Sequence, residues 1–261
     1  MSNPFRLLAP KPRAIQRDAI ELQLDDGGTV HVARVRDPRA RRIRLSVDER
    51  GARLTLPLRA SAVAGERFVA EHRAWLLAQL GEFTGTGLSP LQRGTTATLP
   101  LRGEVEPLQW EDGRYVRLRR GEDGGLVFTA PAAATDAALR RALRDFYEGE
   151  ARADVGRWMP CYLKSLPRAP RQVRFKIMSS QWGSLAPDGS VTLDLSLVLA
   201  RPSAFEYVLV HELCHLLRAD HSPAYWAEVD ARFPAWEAER DWFHAHGRRV
   251  KASLRTLLGD G

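Results

Sequence analysis

Cysteine is scarce in this chain of 261 residues, which contains only Cys161 and Cys214. A secreted protein of this size more often carries a framework of several disulfides, and two cysteines cannot supply one. The composition therefore favours a reducing compartment, and we expect a cytoplasmic protein.

Long apolar runs are also missing. No window approaches about 18 consecutive uncharged apolar residues, the length that a membrane-spanning helix needs. With 44% hydrophobic and 27% charged residues, the sequence is typical of a globular protein rather than a disordered one. Its length allows one large domain or two modest ones, each with a sizeable core. We expect no association with a membrane.

Lysine is rare, because only four of the 39 basic residues are lysines and the rest are arginines. The net charge is +7, and residues 1–60 hold 13 basic against 7 acidic residues. The densest basic run is "RVRDPRARRIR", residues 34–44. A surface for nucleic acid or an acidic partner is one interpretation. Biased genome composition is the other, and no aromatic residue interrupts the run to stack on bases.

Hairpin patterns dominate the first 130 residues. Alternating segments flank turns rich in Gly and Asp at residues 20–35 and 42–57, as in β-hairpins. Helical spacing of apolar residues follows over 61–80. The same order of strand, turn, strand and helix recurs 73 to 74 residues later. A duplicated unit and independent use of a common hairpin both account for this recurrence.

Longer helices are predicted in the second half, residues 131–261. Thr135 is a suitable N-cap for a long helix, and extended segments are predicted at 173–185 and 190–200. Ser203 and Glu206 fit a capping box, so we expect the next helix to begin at Ala204. The sequence thus predicts an α+β protein, with a β-rich region and one helix over 1–130 followed by a second domain over 131–261.

That next helix carries the pattern His-Glu-Leu-Cys-His, residues 211–215. His211 and His215 are one helical turn apart and share a face, with Glu212 beside them. Two imidazoles at this spacing can hold one cation, and the carboxylate can then reach a water bound to that cation. The pattern predicts a hydrolytic metal site with Glu212 as the catalytic base.

A third ligand is predicted at His221. The helix is expected to end shortly after Leu217, and Ser222-Pro223 is typical of the N-cap and first position of a new helix. His221 then projects from the turn between the two helices. Three imidazole nitrogens leave a fourth position for water, as in catalytic zinc sites.

Other candidate ligands are less favourable. Cys214 points about 100° away from His215 around a helix of 3.6 residues per turn, and a small buried thiol is the better interpretation. Glu228 and Glu237 lie in amphipathic patterns that favour solvated carboxylates. His244 and His246 are next to Gly247, and we expect them to be exposed near a helix end.

The segments "VLVHELCHL", "DHSPAYWAEVD" and "QWGSLAPDGSVTLDLSLVLA" together resemble the YgjP-like metallopeptidase family, which is related in motif to the SprT-like zinc peptidases. The resemblance covers most of the chain and is most specific from Trp182 to Trp226. Gln181 stands where the family usually has Arg, and Leu185 where it usually has Cys. Substrate preference therefore need not follow the family.

The resemblance implies a zincin-like metallopeptidase domain with Zn²⁺ held by the three histidines, and Glu212 as general base. It also implies that Trp182, Gly183 and Ser184 lie near the site, where an edge strand can pair with the substrate backbone. For Trp182, packing in the core is the alternative interpretation. Tyr225 follows His221 by four residues, and we expect it to donate to the oxyanion. Mn²⁺, Co²⁺ or Ni²⁺ could replace zinc in such a site.

Three functional classes remain open. The first is a zinc metallopeptidase acting on a peptide or protein. The second is a metal-dependent phosphoanhydride hydrolase acting on nucleotides, since an activated water can also attack phosphorus. The third is a nucleic-acid-associated protein. A single site with histidine ligands alone favours the first, because phosphatase sites more often use two metals and carboxylate ligands.

Overall fold

The computed structural model describes residues 16–23, 29–48, 51–84 and 88–259. The chain forms two compact units, residues 1–85 and 86–261. This division differs from the predicted one at residue 130, because Leu99 and Phe128 belong to the same buried cluster as Leu139 and Leu209. A hairpin region that shares its core with the helices that follow is part of one unit with them. The described residues include no helix long and apolar enough to cross a membrane.

The first unit contains a four-stranded sheet and two helices. Its strands are paired in the order β1-β2-β4-β3, and Ala52, Leu54 and Leu56 of β4 are buried at alternate positions. Ser61 caps the first helix by accepting a hydrogen bond from the Ala64 amide. The elements are β1 Gln16–Gln23, β2 Thr29–Arg36, β3 Arg44–Asp48, β4 Gly51–Leu56, α1 Ala62–Glu71 and α2 Arg73–Thr84.

The second unit begins with another four-stranded sheet, paired in the order β5-β6-β8-β7. As in the first sheet, the two outer pairs are antiparallel and the central pair is parallel. A long helix follows, capped by the Thr135 side chain as predicted. The elements are β5 Thr98–Leu101, β6 Glu104–Asp112, β7 Arg117–Arg120, β8 Leu126–Ala130 and α3 Asp136–Leu163. The recurrence in the sequence therefore corresponds to a repeated sheet topology.

A small three-stranded sheet and three helices complete the second unit. The strands are β9 Gln172–Lys176, β10 Gly183–Leu185 and β11 Ser190–Asp194, paired in the order β10-β11-β9. After a 3₁₀ helix, Leu195–Leu199, come α4 Pro202–Cys214, α5 Pro223–Arg232 and α6 Trp236–Leu258. Strand β10 is thus an edge strand of its sheet.

The extended segments predicted from the sequence are shorter in the structure. Residues 173–185 form two strands separated by residues 177–182, rather than one strand. The segment 190–200 leaves the sheet at Asp194, whose carboxylate accepts hydrogen bonds from the Ser196 amide and hydroxyl. This cap starts the 3₁₀ helix, and apolar periodicity alone could not predict it.

Two predicted helix ends also differ. Helix α4 begins at Pro202 with Arg201 as N-cap, not at Ala204, because proline is well suited to the first helical position. Glu206 does not close a capping box, since it accepts a hydrogen bond of 2.7 Å from the Tyr162 hydroxyl. Helix α6 continues through Gly247 to Leu258, so His244 lies within the helix rather than near its end.

Candidate metal centre

Helix α4 is buried along most of its length, and this sets the position of its polar residues. Val208, Leu209 and Leu213 are at most 4% exposed. His211 lies in the last turn of the helix and His215 is its C-cap. The apolar contacts fix the helix in the core, so the two imidazoles are presented from a rigid element.

The turn after α4 brings the third histidine back toward the helix. The chain leaves α4 through hydrogen bonds from the Leu217 and Arg218 amides to the Cys214 carbonyl. Ser222 then caps α5, as predicted, by accepting from the Tyr225 amide at 3.4 Å. The turn between these two hydrogen-bonded ends places His221 against His211.

The three histidines form a compact cluster. Their candidate ligand atoms lie within 4.8 Å of one another, and across the described ranges no other group of at least three His, Cys, Asp or Glu residues is so arranged. The Nε2 atoms of His211 and His221 are 3.1 Å apart. Two nitrogens bound at about 2.0–2.1 Å to a tetrahedral ion lie about 3.4 Å apart. The observed separation therefore fits a shared metal ion.

Hydrogen bonding and burial favour the ligand form of these imidazoles. The Nδ1 atom of His215 lies 3.0 Å from the Arg218 carbonyl oxygen. Donation from Nδ1 to that carbonyl leaves Nε2 as the free nitrogen. Burial lowers the pKa of His211 to about 3, and the neighbouring His215 and His221 contribute less to this shift. A neutral imidazole is the form that binds metal.

Glu212 lies beside the cluster and is only 4% exposed. Burial raises the pKa of its carboxyl to about 8. A Cβ atom added at Gly183 would lie 2.5 Å from Glu212 Oε1, closer than nonbonded atoms can approach. Glycine at this position of β10 therefore makes room for the carboxylate, and the two residues are in direct contact.

Tyr225 is placed differently from the expected oxyanion donor. It is fully buried, and its hydroxyl donates a hydrogen bond of 2.9 Å to the His211 carbonyl. Its ring stacks on His215 with centroids 4.6 Å apart. Tyr225 does not line the cleft, and its hydroxyl and ring contact the histidines instead.

A cleft of about 840 Å³ opens over the cluster. The three histidines and Glu212 line it, together with Trp182, Gly183 and Ser184. It is also lined by residues that the sequence did not single out: Arg168, Tyr207, Arg240 and Phe243, and by His244, which was expected only to be exposed. Three of these come from α6, and no local pattern links that helix to the site.

The alternative ligands do not belong to the histidine cluster. Cys214 is fully buried within the apolar core, as expected for a small packed thiol. The Glu228 carboxylate pairs with Arg232 at 2.7 Å. Glu237 is exposed in the first turn of α6. None of the three belongs to the group that could hold an ion.

Comparison with known proteins gives a family match. The sequence model described as YgjP-like, metallopeptidase domain, matches residues 41–246. No curated protein matches the sequence significantly. A solved structure, the metallopeptidase zymogen of Pyrococcus abyssi abylysin, is 22% identical over 41% of this chain and 96% of that chain, with a TM-score of 0.30. Similarity at that level does not establish a shared fold.

Proposed function

The chain belongs to the YgjP-like metallopeptidase family, and from this premise we propose that it is a zinc-dependent peptidase with a zincin-like catalytic domain. We assign His211, His215 and His221 as the zinc ligands and Glu212 as the general base. The observation that carries the assignment is the cluster of three imidazoles with a buried carboxylate beside it in one cleft. The cysteine content supports action in a reducing cytoplasm.

Zinc is the ion that this donor set suits best. Three imidazole nitrogens are typical of catalytic zinc sites, which keep one position open for water or substrate. Sites for magnesium or calcium are built from oxygen ligands instead. Manganese, cobalt and nickel bind similar sets in vitro, and metal analysis of the protein as purified tests the assignment of zinc.

When bound, zinc supplies a Lewis acid that lowers the pKa of water and polarises a carbonyl group. Glu212 accepts the proton of the attacking water as its oxygen bonds to the scissile carbonyl carbon. The same carboxyl group then gives that proton to the amide nitrogen as the C–N bond breaks. An adjacent cation favours the carboxylate form, which offsets the effect of burial on Glu212 and keeps it available as a base.

The edge strand β10 is proposed to bind the substrate backbone. Gly183, Ser184 and Leu185 line the cleft, and β10 pairs only with β11 within its sheet. An extended peptide can add to such an edge through main-chain hydrogen bonds. Because Gly183 contacts Glu212, a peptide paired with β10 would lie beside the base. Trp182 forms the wall at the start of this strand.

A phosphoanhydride hydrolase acting on nucleotides is the second candidate. Arg168 and Arg240 line the cleft and would suit an anionic substrate. The ligand set nevertheless consists of imidazoles at a single centre, whereas phosphoryl transfer more often uses carboxylate-bound metal pairs. The basic run at residues 34–44 belongs to the first unit, whereas the histidine cluster belongs to the second.

An assay of the purified protein on peptide libraries and on nucleoside triphosphates, with and without chelator, tests the proposal. We expect the protein to cleave peptides. Chelator should abolish this cleavage and added zinc should restore it, and the Glu212→Gln variant should not cleave peptides. Cleavage of triphosphates without cleavage of peptides would support the second candidate. Chelator-sensitive binding without hydrolysis of either class would remove the enzymatic assignment.

A further inference from the structure

One face of α6 holds Trp182, the residue that precedes β10. The Trp182 ring packs against Phe243 with centroids 4.5 Å apart. One turn later, a Cβ atom at Gly247 would lie 2.7 Å from Trp182 Cζ2, so only glycine leaves room for the indole. After another turn, Lys251 Nζ lies 4.5 Å from the ring centroid. Positions four residues apart share a helix face, and these three form the Trp182 seat.

Lys251 also binds the backbone of the segment that leads to β10. Its ammonium group donates to the carbonyls of Met178 and Gln181, both at 2.9 Å, and lies 3.1 Å from Asp194 Oδ2. The Lys251 side chain is 8% exposed and that of Asp194 is 1% exposed. An ammonium group has three N–H donors, and these three acceptors match them. The charge is therefore both paired and hydrogen-bonded where it is buried.

Asp194 also forms hydrogen bonds with the backbone of residues 178–182. Its Oδ2 atom accepts a hydrogen bond of 2.6 Å from the Met178 amide. Its backbone amide donates to the Trp182 carbonyl at 2.8 Å. Both ends of residues 178–182 are thus bound to the pair formed by Asp194 and Lys251. A loop held at both ends has little freedom to shift the strand that it leads into.

We propose that the Trp182 seat on α6, with the Asp194–Lys251 pair, is a positioning device that holds β10 against Glu212. Gly183 links the two, since it follows Trp182 directly and contacts the Glu212 carboxylate. Lys251 and Gly247 act through Trp182 and β10 rather than on the substrate itself. The expected effect on turnover rests on the proposed peptidase function, whereas the effect on the strand does not.

Two variants disturb the seat by different means. Lys251→Met removes the charge but keeps an unbranched stem over the indole. Gly247→Ala ordinarily favours a helix, yet its methyl group would displace Trp182. In both we expect faster hydrogen exchange over residues 177–187. We also expect kcat/KM on a cleaved peptide to fall about 10- to 100-fold, since a displacement of about 1 Å can cost 10²-fold. Zinc content should stay at one per chain.

Matched controls separate positioning from general damage. Gly156→Ala in α3 adds a methyl group where nothing lies within 4 Å, and Asp18→Asn removes a partner of Arg34 within the first unit. Both should keep wild-type turnover. If Lys251→Met does not fold because Asp194 is left unpaired, Lys251→Met with Asp194→Asn removes both charges and serves instead.

The exchange measurement remains informative if the wild-type protein cleaves no peptide, because it does not depend on activity. Normal exchange over residues 177–187 in both seat variants would overturn the proposal. So would faster exchange combined with unchanged turnover in an active enzyme, since β10 would then not need to be held. Loss of zinc in Gly247→Ala would assign the seat to metal binding rather than to the strand.

Discussion

The two four-stranded sheets share a topology but differ in what they pack against. In the first unit, the buried apolar cluster comprises six of the described residues: Val32, Ala52, Leu54, Leu56, Val69 and Leu76. In the second unit, the corresponding sheet contributes to a far larger cluster that also includes residues of α3, α4 and α6. The same arrangement of strands thus packs on a small cluster in the first unit and on a large cluster shared with three helices in the second.

The turn between β5 and β6 shows how the second sheet serves the site. The amides of Arg102 and Gly103 donate to the carbonyls of Val198 and Leu199 at 2.8 and 2.9 Å. Gly103 has a φ of 85°, and a Cβ atom added at this position would lie 3.2 Å from the Arg201 Cα atom. The turn therefore binds the 3₁₀ helix directly before α4. The second sheet therefore supports the helix that carries His211 and Glu212.

Replacing Glu212 in the second unit should give the largest fall in turnover, whereas a matched replacement in the first unit should not affect turnover. Glu212→Gln keeps the shape of the side chain but removes the proton acceptor, so turnover should fall by about 10²–10⁴-fold. Zinc content and the fold should be unchanged. Glu66→Gln is the matched control, because Glu66 pairs with Arg34 at 3.2 Å within the first unit. Retained activity in Glu212→Gln would assign the base to another group.

Replacing a glycine with alanine in each unit tests whether a close contact at that glycine affects turnover or only stability. Gly183→Ala would place Cβ 2.5 Å from Glu212 Oε1, and we expect turnover to fall about 10- to 100-fold because the base must move. Gly65→Ala would meet Leu54 at 3.0 Å, so it should affect the stability of the first unit alone. Steady-state kinetics and thermal unfolding of both variants check this. Equal turnover in the two would contradict the contact between β10 and the base.

Core truncation separates the two clusters. Leu54 and Leu209 are both fully buried, and replacing either with Ala should cost about 2–5 kcal/mol. Leu54→Ala should speed hydrogen exchange over 16–84 and leave zinc content unchanged. Leu209→Ala should speed exchange in α4 and lower zinc affinity. Loss of zinc in Leu54→Ala would mean that the first unit supports the metal centre after all.

The smallest effect is expected for Tyr225→Phe. The variant removes the hydrogen bond to the His211 carbonyl and should cost about 0.5–1.5 kcal/mol of stability, with turnover reduced less than about tenfold. Loss of an oxyanion donor would instead cost about 10²–10³ in kcat. Tyr147→Phe is the control, since its buried hydroxyl donates to the Pro100 carbonyl at 2.9 Å. A fall in kcat of about 10²–10³-fold in Tyr225→Phe but not in Tyr147→Phe would show that Tyr225 does donate to the oxyanion.

The sequence predicts what depends on short spacings. Two such features are the spacing of one helical turn between His211 and His215 and the cap at Ser222. Both depend on local helix geometry alone, so they do not depend on the rest of the fold. The repeated hairpins likewise follow from alternation and turns. The family resemblance added that Trp182–Ser184 lies near the site, and the structure places these residues in the cleft.

What depends on distant packing was not predictable. Helix α6 continues through Gly247, where the indole of Trp182 occupies the space that a Cβ atom would need. Tyr225 has the spacing of a substrate contact, but its hydroxyl is used by the His211 carbonyl. The boundary near residue 85 rather than 130 depends on which hairpins share a core with α3, and hairpin patterns contain no such information.

X-ray absorption at the zinc edge, on the protein as purified, tests most directly the claim that the second unit holds a catalytic zinc ion on three imidazoles. We predict one zinc per chain, with nitrogen neighbours at about 2.0–2.1 Å and no sulfur neighbour at about 2.3 Å. A sulfur neighbour would place Cys214 or Cys161 in the ligand set. Protein without zinc, which also fails to bind it when zinc is added, would contradict the assignment of His211, His215 and His221.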